Sequence, residues 1–173
     1  ISAGTSLNIF NNHADRIHMT NIAQTINVLQ AMILTDGSEM LLTPTYHVYD
    51  MYKVHQDARL LDFALLCDDY TYNGQSLKQI NASVSKNHDG QINITLVNIA
   101  PDQNANITCH IPELSSLSVS NALILTAPKM NAMNTFEQPD SIAPKKFTDF
   151  LLSSETLNIN MPAKSVVLLT IPS

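Results

Sequence analysis

The feature that most constrains this chain is a change in the spacing of its apolar residues near residue 59. Before that point apolar residues recur every three to four positions, as in a helix, and after it they alternate with polar ones. The alternating runs are short, rich in β-branched residues and separated by Asn, Asp, Gly and Pro. They are INASVS (80–85), INITLVNI (92–99), NITCHI (106–111), SVSNALIL (118–125), TLNINM (156–161) and SVVLLTI (165–171). The pattern predicts a mainly β chain with an antiparallel, jelly-roll-like β-sandwich over residues 60–173, which we expect to fold as a stable unit.

The clearest turn in the chain is HDGQ, residues 88–91, which lies between two alternating runs. An Asp-Gly pair accepts the positive φ values that a tight turn demands. We therefore expect the runs at 80–85 and 92–99 to form a β-hairpin.

Residues 1–59 are predicted to form a second domain of a different kind. Their pattern indicates a helix near the N-terminus, a second helix over 17–25 and a strand-length apolar run over 26–34. A third helix is expected near Thr45, with Pro44 at its start. Helix, buried strand, loop and helix are the order of a β/α unit. One unit cannot close a barrel, so the segment is predicted to be the remnant of a (β/α)8 barrel.

Composition narrows the possible functions. The chain has 173 residues, of which 45% are hydrophobic and 14% charged, so we expect a folded chain with a substantial core. Its net charge of −6 offers no basic patch to a phosphate backbone, so a nucleic-acid partner is not expected. Apolar stretches stay shorter than the roughly 20 residues that span a bilayer, and a membrane partner is likewise not expected.

Residue spacing also argues against metal, cofactor and thiol chemistry. The six histidines form no HxxxH motif, and the four glycines form no phosphate-binding loop. No metal or cofactor is therefore predicted. Cys67 and Cys109 lie in apolar, strand-like runs, which favours two buried thiols, with a single disulfide as the alternative.

Carboxylates give no catalytic pair. The glutamates lie in predicted turns or loops, and they are Glu39, Glu113, Glu137 and Glu155. The acidic CDDY at 67–70 is interpreted as a solvated strand end. The residues alone therefore predict a fold without a catalytic set.

Residues 8–61 nevertheless carry several uncommon words in a fixed order: HAD, MTNIAQ, INVLQAMIL and TPTYHVYDMYKVHQ. This stretch closely resembles the C-terminal part of the catalytic barrel in α-L-arabinofuranosidases of glycoside hydrolase family 51. The closing LNINMPAKSVVLLTI (157–171) is similar, more loosely, to the last strand pair of the sandwich that follows the barrel in that family. The resemblance covers essentially the whole chain.

The resemblance implies a retaining glycosidase that acts on arabinose-containing plant glycans. In such enzymes one carboxylic acid protonates the leaving oxygen, and a second carboxylate about 5 to 5.5 Å away attacks the anomeric carbon. The family's acid/base follows an Asn and its nucleophile lies in a Trp-bearing segment, both upstream of the matching region. This chain has no Asn-Glu dipeptide and no Trp, so no catalytic residue is assigned to it and the chain alone is expected to be inactive.

The part of the sugar site that the resemblance leaves in this chain is a loop at the barrel rim. Active sites of β/α barrels lie at the carboxyl ends of the strands, so residues 35–47 would line that rim. Leu42 stands where many relatives have a sugar-binding Gln, and that contact is not transferred. Thr43, Tyr46 and His47 are the candidates for contact with a glycan. The alternative is that the tyrosines of this helix only cover the sandwich or the barrel.

Two other roles remain open for the sandwich itself. It can act as a structural domain that packs on the barrel, or as a noncatalytic module that binds carbohydrate. A binding module normally presents a flat aromatic platform, and only Tyr70 and Tyr72 in DDYTYNG suggest one. The apolar run 26–34 would lack neighbouring strands, so we also expect a homo-oligomer that forms through residues 1–59.

Overall fold

The computed structural model describes residues 1–111, 118–153 and 155–172. Helix α1 spans Ser2–Asn12, helix α2 spans Pro44–Tyr52, and a 3₁₀ turn follows α2 at Lys53–His55. The strands are β1 (Ile33–Asp36), β2 (Glu39–Leu42), β3 (Arg59–Leu60), β4 (Asp69–Tyr72), β5 (Gln75–Lys78), β6 (Ile80–Lys86), β7 (Ile92–Asn98), β8 (Ala105–His110), β9 (Asn121–Thr126), β10 (Lys145–Lys146), β11 (Phe150–Leu152), β12 (Thr156–Met161) and β13 (Ser165–Ile171).

Two antiparallel sheets form the sandwich. The larger has the order β10-β9-β13-β7-β6-β3 and the smaller has the order β11-β12-β8. Each of the six alternating runs overlaps one of the longer strands, so the predicted mainly β sandwich is confirmed. The predicted hairpin is also confirmed, because β6 pairs with β7 and Gly90 in the turn between them has φ +82°.

The sandwich core lies between the two sheets and follows the alternation of the strands. From the larger sheet, Ile94 and Leu96 of β7 point into it, together with Val167 and Leu169 of β13. The smaller sheet contributes the apolar residues of β12, which are Leu157, Ile159 and Met161. Inward-facing residues of both sheets therefore build one apolar layer, as in other sandwiches.

The opposite face of the larger sheet is covered by the helices. All seven residues of β13 are buried, because this strand has the sandwich core on one side and α2 on the other. Val166 and Leu168 pack with Val48 and Met51 of α2 in a second apolar cluster. Burial on both faces explains why VVLL (166–169), within this strand, is continuously apolar where other strands alternate. Helix α2 is therefore docked on the larger sheet of the sandwich.

The prediction for residues 17–34 is wrong. Residues 17–25 contain no helix, and 26–34 do not form one strand. Instead β1 pairs with β2 in a separate two-stranded hairpin. Positive φ values at Asn27 and Gln30 interrupt the extended backbone, and the apolar side chains nearby, such as Leu29 at 80% exposure, lack neighbours to bury them. The expected remnant of a β/α barrel is therefore not visible as a β/α unit. The division at residue 59 stays a prediction.

Candidate functional site

The three candidate residues lie at the start of α2, and Thr43 is its N-cap. Thr43 has an extended backbone, and its Oγ1 accepts a hydrogen bond from the Tyr46 amide at 3.5 Å. The same hydroxyl donates to the Ala31 carbonyl at 2.9 Å. Pro44 occupies the first turn, where the missing N–H is no loss. The hydroxyl of Thr43 is thus engaged in holding the helix start.

Tyr46 and His47 are in edge-to-face contact, but only one of them reaches the surface. Their ring centroids are 5.7 Å apart with an interplanar angle of 85°. His47 is 9% exposed, whereas Tyr46 is half-buried. Among the described residues nothing hydrogen-bonds His47 Nε2. Burial lowers the pKa of His47, and the carboxylates of Asp50 and Asp140 partly oppose this. Of these two rings, that of Tyr46 is therefore the more accessible.

A buried polar network joins the N-terminal elements to the larger sheet. Asn8 of α1 accepts a hydrogen bond from the Thr95 hydroxyl at 2.7 Å, and its amide donates to the Asn81 carbonyl at 3.2 Å. His55 Nε2 lies 3.0 Å from Thr95 Oγ1, and His55 Nδ1 lies 2.7 Å from Ser85 Oγ. Because Thr95 donates its proton to Asn8, Nε2 of His55 must carry a hydrogen, and in the neutral ring Nδ1 accepts from Ser85. Both ring nitrogens of His55 are thus engaged.

Tyr52 belongs to the same interface. Its hydroxyl donates to the Gly4 carbonyl at 3.1 Å, and its ring centroid lies 5.7 Å from that of His55. Burial raises the pKa of Tyr52 and lowers the pKa of His55 to about 4. Both groups are therefore held in their neutral forms.

Beside this network lies an open cleft of about 610 Å³ between α1, residues 14–20 and the end of α2. Its walls are mixed, with apolar Phe10 and Met19 beside polar residues such as His18, Tyr49 and Lys53. No sequence pattern predicts this cleft, because it depends on how two distant helices pack.

Ionisable groups elsewhere are dispersed. The ion pairs Lys53–Asp50 at 2.7 Å and Lys78–Asp69 at 2.8 Å lie on the surface. Within the residues that the structure describes, no three His, Cys, Asp or Glu side chains are placed to hold a metal ion. Of the candidate glutamates, Glu113 lies outside the described residues. In the same described ranges, no helix has the length and hydrophobicity needed to cross a membrane.

The two cysteines are free thiols. Cys67 Sγ lies 3.7 Å from the Ile80 carbonyl, and Cys109 packs at the edge of the sandwich core. Burial raises the pKa of Cys109 to about 11, so this thiol stays protonated and unreactive at neutral pH. The predicted free thiols are present, but both cysteines are half-buried and not buried as expected.

Sequence reasoning missed Asn8, His55 and Thr95 as a connected group. The sequence pattern points the other way, because β6 and β7 carry Asn, Ser and Thr at alternate positions, which usually indicates a strand face that is exposed to water. Here that face is covered by α1 and the 3₁₀ turn, so the same residues are buried.

An antiparallel β-sandwich whose larger sheet is covered by an N-terminal helical segment is the class of domain that these observations define. The family model for the alpha-L-arabinofuranosidase C-terminal domain matches residues 1–165. The chain belongs to this family.

Relatives agree with that assignment. The chain is 41% identical over 168 residues to an intracellular exo-alpha-L-arabinofuranosidase of Bacteroides ovatus, covering 96% of this chain and 32% of that protein. The crystal structure of the family 51 arabinofuranosidase from Xanthomonas axonopodis pv. citri matches with a TM-score of 0.93 and 40% identity, covering 98% of this chain and 34% of that one. A family 51 alpha-L-arabinofuranosidase from Bifidobacterium longum shares the fold, with a TM-score of 0.84 at 20% identity over 98% of this chain and 34% of that one. The chain thus spans about a third of the length of these relatives.

Proposed function

We propose that this chain is the C-terminal part of a retaining α-L-arabinofuranosidase that releases arabinofuranose from arabinose-containing glycans. The family match across residues 1–165 carries the proposal. The sandwich serves as a structural domain that holds the preceding segment, and the two catalytic carboxylates lie outside these 173 residues. The buried polar network supports this role, because it fixes α1 and the end of α2 on the larger sheet.

In this proposal the segment Thr43–His47 faces the glycan. Tyr46 contacts the sugar, because aromatic rings stack on the apolar face of a sugar ring. Thr43 and His47 hold Tyr46 in place through the helix cap and the edge-to-face contact. Substitution of Tyr46 by Ala in the longer enzyme should raise KM for an arabinofuranoside. Tyr49→Ala, on the same helix, is the control.

Activity measurements test the proposal directly. The 173-residue chain should not hydrolyse p-nitrophenyl α-L-arabinofuranoside, because it lacks the acid and the nucleophile that supply most of the acceleration. The longer protein that contains it should do so with retention of configuration. Activity that follows the 173-residue chain through two further columns would overturn the assignment.

The unit boundaries are part of the proposal. We propose that residues 60–173 are the more stable unit and that 1–59 belong to the catalytic domain of the longer enzyme. Limited proteolysis should then cut before residue 60 first. Early cleavage within 92–99 or 165–171 would show that the division is wrong.

The carbohydrate-binding alternative has one supporting observation. Tyr72 of β4 is 66% exposed, and Leu77 lies directly opposite Tyr70 on β5, so one face of this small hairpin is apolar. Glycan-array binding by the whole chain, lost in Tyr72→Ala, would favour a binding module. Absence of binding favours the structural role.

We also propose that the isolated chain self-associates through residues 1–59. Apolar side chains are exposed there, at Met19, Ile26, Leu29 and Met40. A stable two-fold contact needs to bury more than about 1,000 Å² in total. Sedimentation at low micromolar concentration should show a dimer or larger species, and a clean monomer would refute this.

A further inference from the structure

The connection between β9 and β10, residues 127–144, contains one buried side-chain amide in a largely exposed stretch. Asn134 is 5% exposed, whereas Met130 and Met133 in the same connection are largely exposed. Burying a side-chain amide without hydrogen bonds costs free energy, so a buried amide normally has partners. The partners of Asn134 therefore indicate what its side chain does.

Within the described residues, the side chain of Asn134 hydrogen-bonds to two backbone segments. Its Oδ1 accepts from the Ile142 amide at 2.8 Å, and its Nδ2 donates to the Ile142 carbonyl at 3.0 Å, which closes the connection on itself. The second hydrogen on Nδ2 goes to the Leu42 carbonyl at 2.8 Å, 92 positions away in the sequence. The amide thus ties a loop of the sandwich to the end of β2.

The Leu42 carbonyl is available because of the register of β1 and β2. The Thr43 amide donates to the Met32 carbonyl at 2.9 Å, which makes Ile33 and Leu42 a non-hydrogen-bonded pair. The carbonyl of Leu42 therefore points away from β1. It accepts from Asn134 one residue before the cap of α2.

Other contacts bring the same connection against the start of α2. Ile142 packs in the apolar cluster that contains Val48 and Met51. Pro44 lines a small cavity of about 80 Å³ together with Met130 and Ile142. The hydrogen bond from the Asn134 side chain to Leu42 is thus a directional contact within a larger apolar interface.

We propose that Asn134 is a positioning residue, whose amide fixes Leu42 and thereby the segment Thr43–His47 relative to the sandwich. The inference rests on the proposed function in one respect, which is that this segment faces the glycan. It adds a residue of the sandwich to the determinants of that site, although Asn134 itself touches no substrate.

Hydrogen exchange in the 173-residue chain tests the positioning. The amides of Thr43, Tyr46 and His47 are hydrogen-bonded at the helix start and report on its order. Asn134→Ala should accelerate their exchange at least tenfold while protection in β7 and β13 is unchanged. Asn131→Ala, an exposed amide in the same connection, should change nothing. Unchanged protection of the three amides in Asn134→Ala would overturn the proposal.

Asn134→Asp provides a second readout that does not depend on whether the alanine variant folds. It keeps the acceptor for the Ile142 amide but loses both donors, to the Leu42 and Ile142 carbonyls, and a protonated carboxyl group restores one donor. Relative to the unsubstituted chain at the same pH, protection of the three amides should therefore fall as the pH rises. A ratio that does not change with pH would overturn the proposal.

Kinetics in the longer enzyme separates this inference from the proposed function. Asn134→Ala should lower kcat/KM for an arabinofuranoside about tenfold, mainly through KM, and Asn131→Ala should not. Faster exchange with unchanged kinetics supports the positioning by Asn134 and refutes the glycan-facing role of Thr43–His47. Unchanged exchange refutes the positioning whatever the kinetics show.

Discussion

Acid should weaken this fold through His55, a half-buried histidine whose ring nitrogens both make hydrogen bonds. In the folded chain its ring donates to Thr95 and accepts from Ser85, and burial lowers its pKa to about 4. In the unfolded chain the pKa returns to about 6.5. The unfolded chain therefore binds a proton between these two values, and the folded chain does not.

The sign and size of the effect follow from that difference. Above about pH 6.5 His55 is neutral in both states and its full contribution to stability is present. As the pH falls towards 4, protonation of the unfolded chain lowers the free energy of unfolding, by about 2 kcal/mol between pH 7 and pH 5 and by about 3 kcal/mol in total. Below about pH 4 the contribution does not change further, because both states carry the proton. Burial also lowers the pKa of His47, which acts in the same direction.

Urea unfolding followed by circular dichroism from pH 7 to pH 4.5 measures this dependence. His55→Gln removes the titrating group, so the difference in slope between this variant and the unsubstituted chain isolates His55. His88→Gln is the control, because His88 is exposed in the turn between β6 and β7. Equal slopes for the unsubstituted chain and His55→Gln, within about 0.5 kcal/mol over this range, would refute the assignment of a neutral, hydrogen-bonded ring.

Three further substitutions test the packing of the helices. Gly4→Ala would place a Cβ 3.0 Å from Val97 Cγ2. This overpacking should outweigh the helical preference for Ala by about 1 kcal/mol and so lower the urea midpoint. A raised midpoint would contradict this. Tyr52→Phe should lower the free energy of unfolding by about 1 kcal/mol, because it removes the hydrogen bond to the Gly4 carbonyl. Tyr72→Phe, at an exposed position, should change it by under about 0.5 kcal/mol. Equal losses in the two variants would count against the assigned bond. Thr43→Ala should lower the free energy of unfolding by about 1 kcal/mol, because the helix cap is lost. Thr43→Ser keeps the hydroxyl and should lose much less. Equal losses in the two variants would show that the hydroxyl is not the capping group.

The strands were predictable because their burial is decided locally. A run such as TLNINM alternates apolar and polar residues, and its burial in the structure alternates with it. The start of α2 was predictable for a similar reason, since Pro44 is favoured only in the first turn of a helix.

Residues 17–34 were not predictable in this way. The run INVLQAMIL has the composition of a buried strand. Composition indicates that the run favours burial, but it does not show whether neighbouring strands are present to bury it. Without neighbouring strands, Val28 and Leu29 stay largely exposed and only Ile33 and Leu34 enter a strand. The resemblance to a barrel identified the family correctly, but the local conformation here is that of a hairpin.

The candidate site was only partly predictable, because its supporting contacts connect distant residues. Thr43, Tyr46 and His47 could be selected from one loop, whereas Asn134 and Leu42 meet across 92 positions. A single asparagine in a polar loop gives no sequence signal for such a contact. Only the three-dimensional arrangement distinguishes it from an ordinary surface residue such as Asn131.

The polar character of the helix–sheet interface has a consequence for how the two parts of the chain are aligned. Apolar contacts are non-directional and tolerate small shifts of one element over another. The side-chain amide of Asn8 donates to the Asn81 carbonyl at 3.2 Å, and that of Asn12 donates to the Ala82 carbonyl at 2.8 Å. Both hydrogen bonds can form together at only one position of α1 along β6. A shift by one residue along the strand would leave these groups buried and unpaired, at about 1 to 3 kcal/mol each. The sandwich therefore specifies one orientation for α1, which an apolar face of equal area would define less strictly.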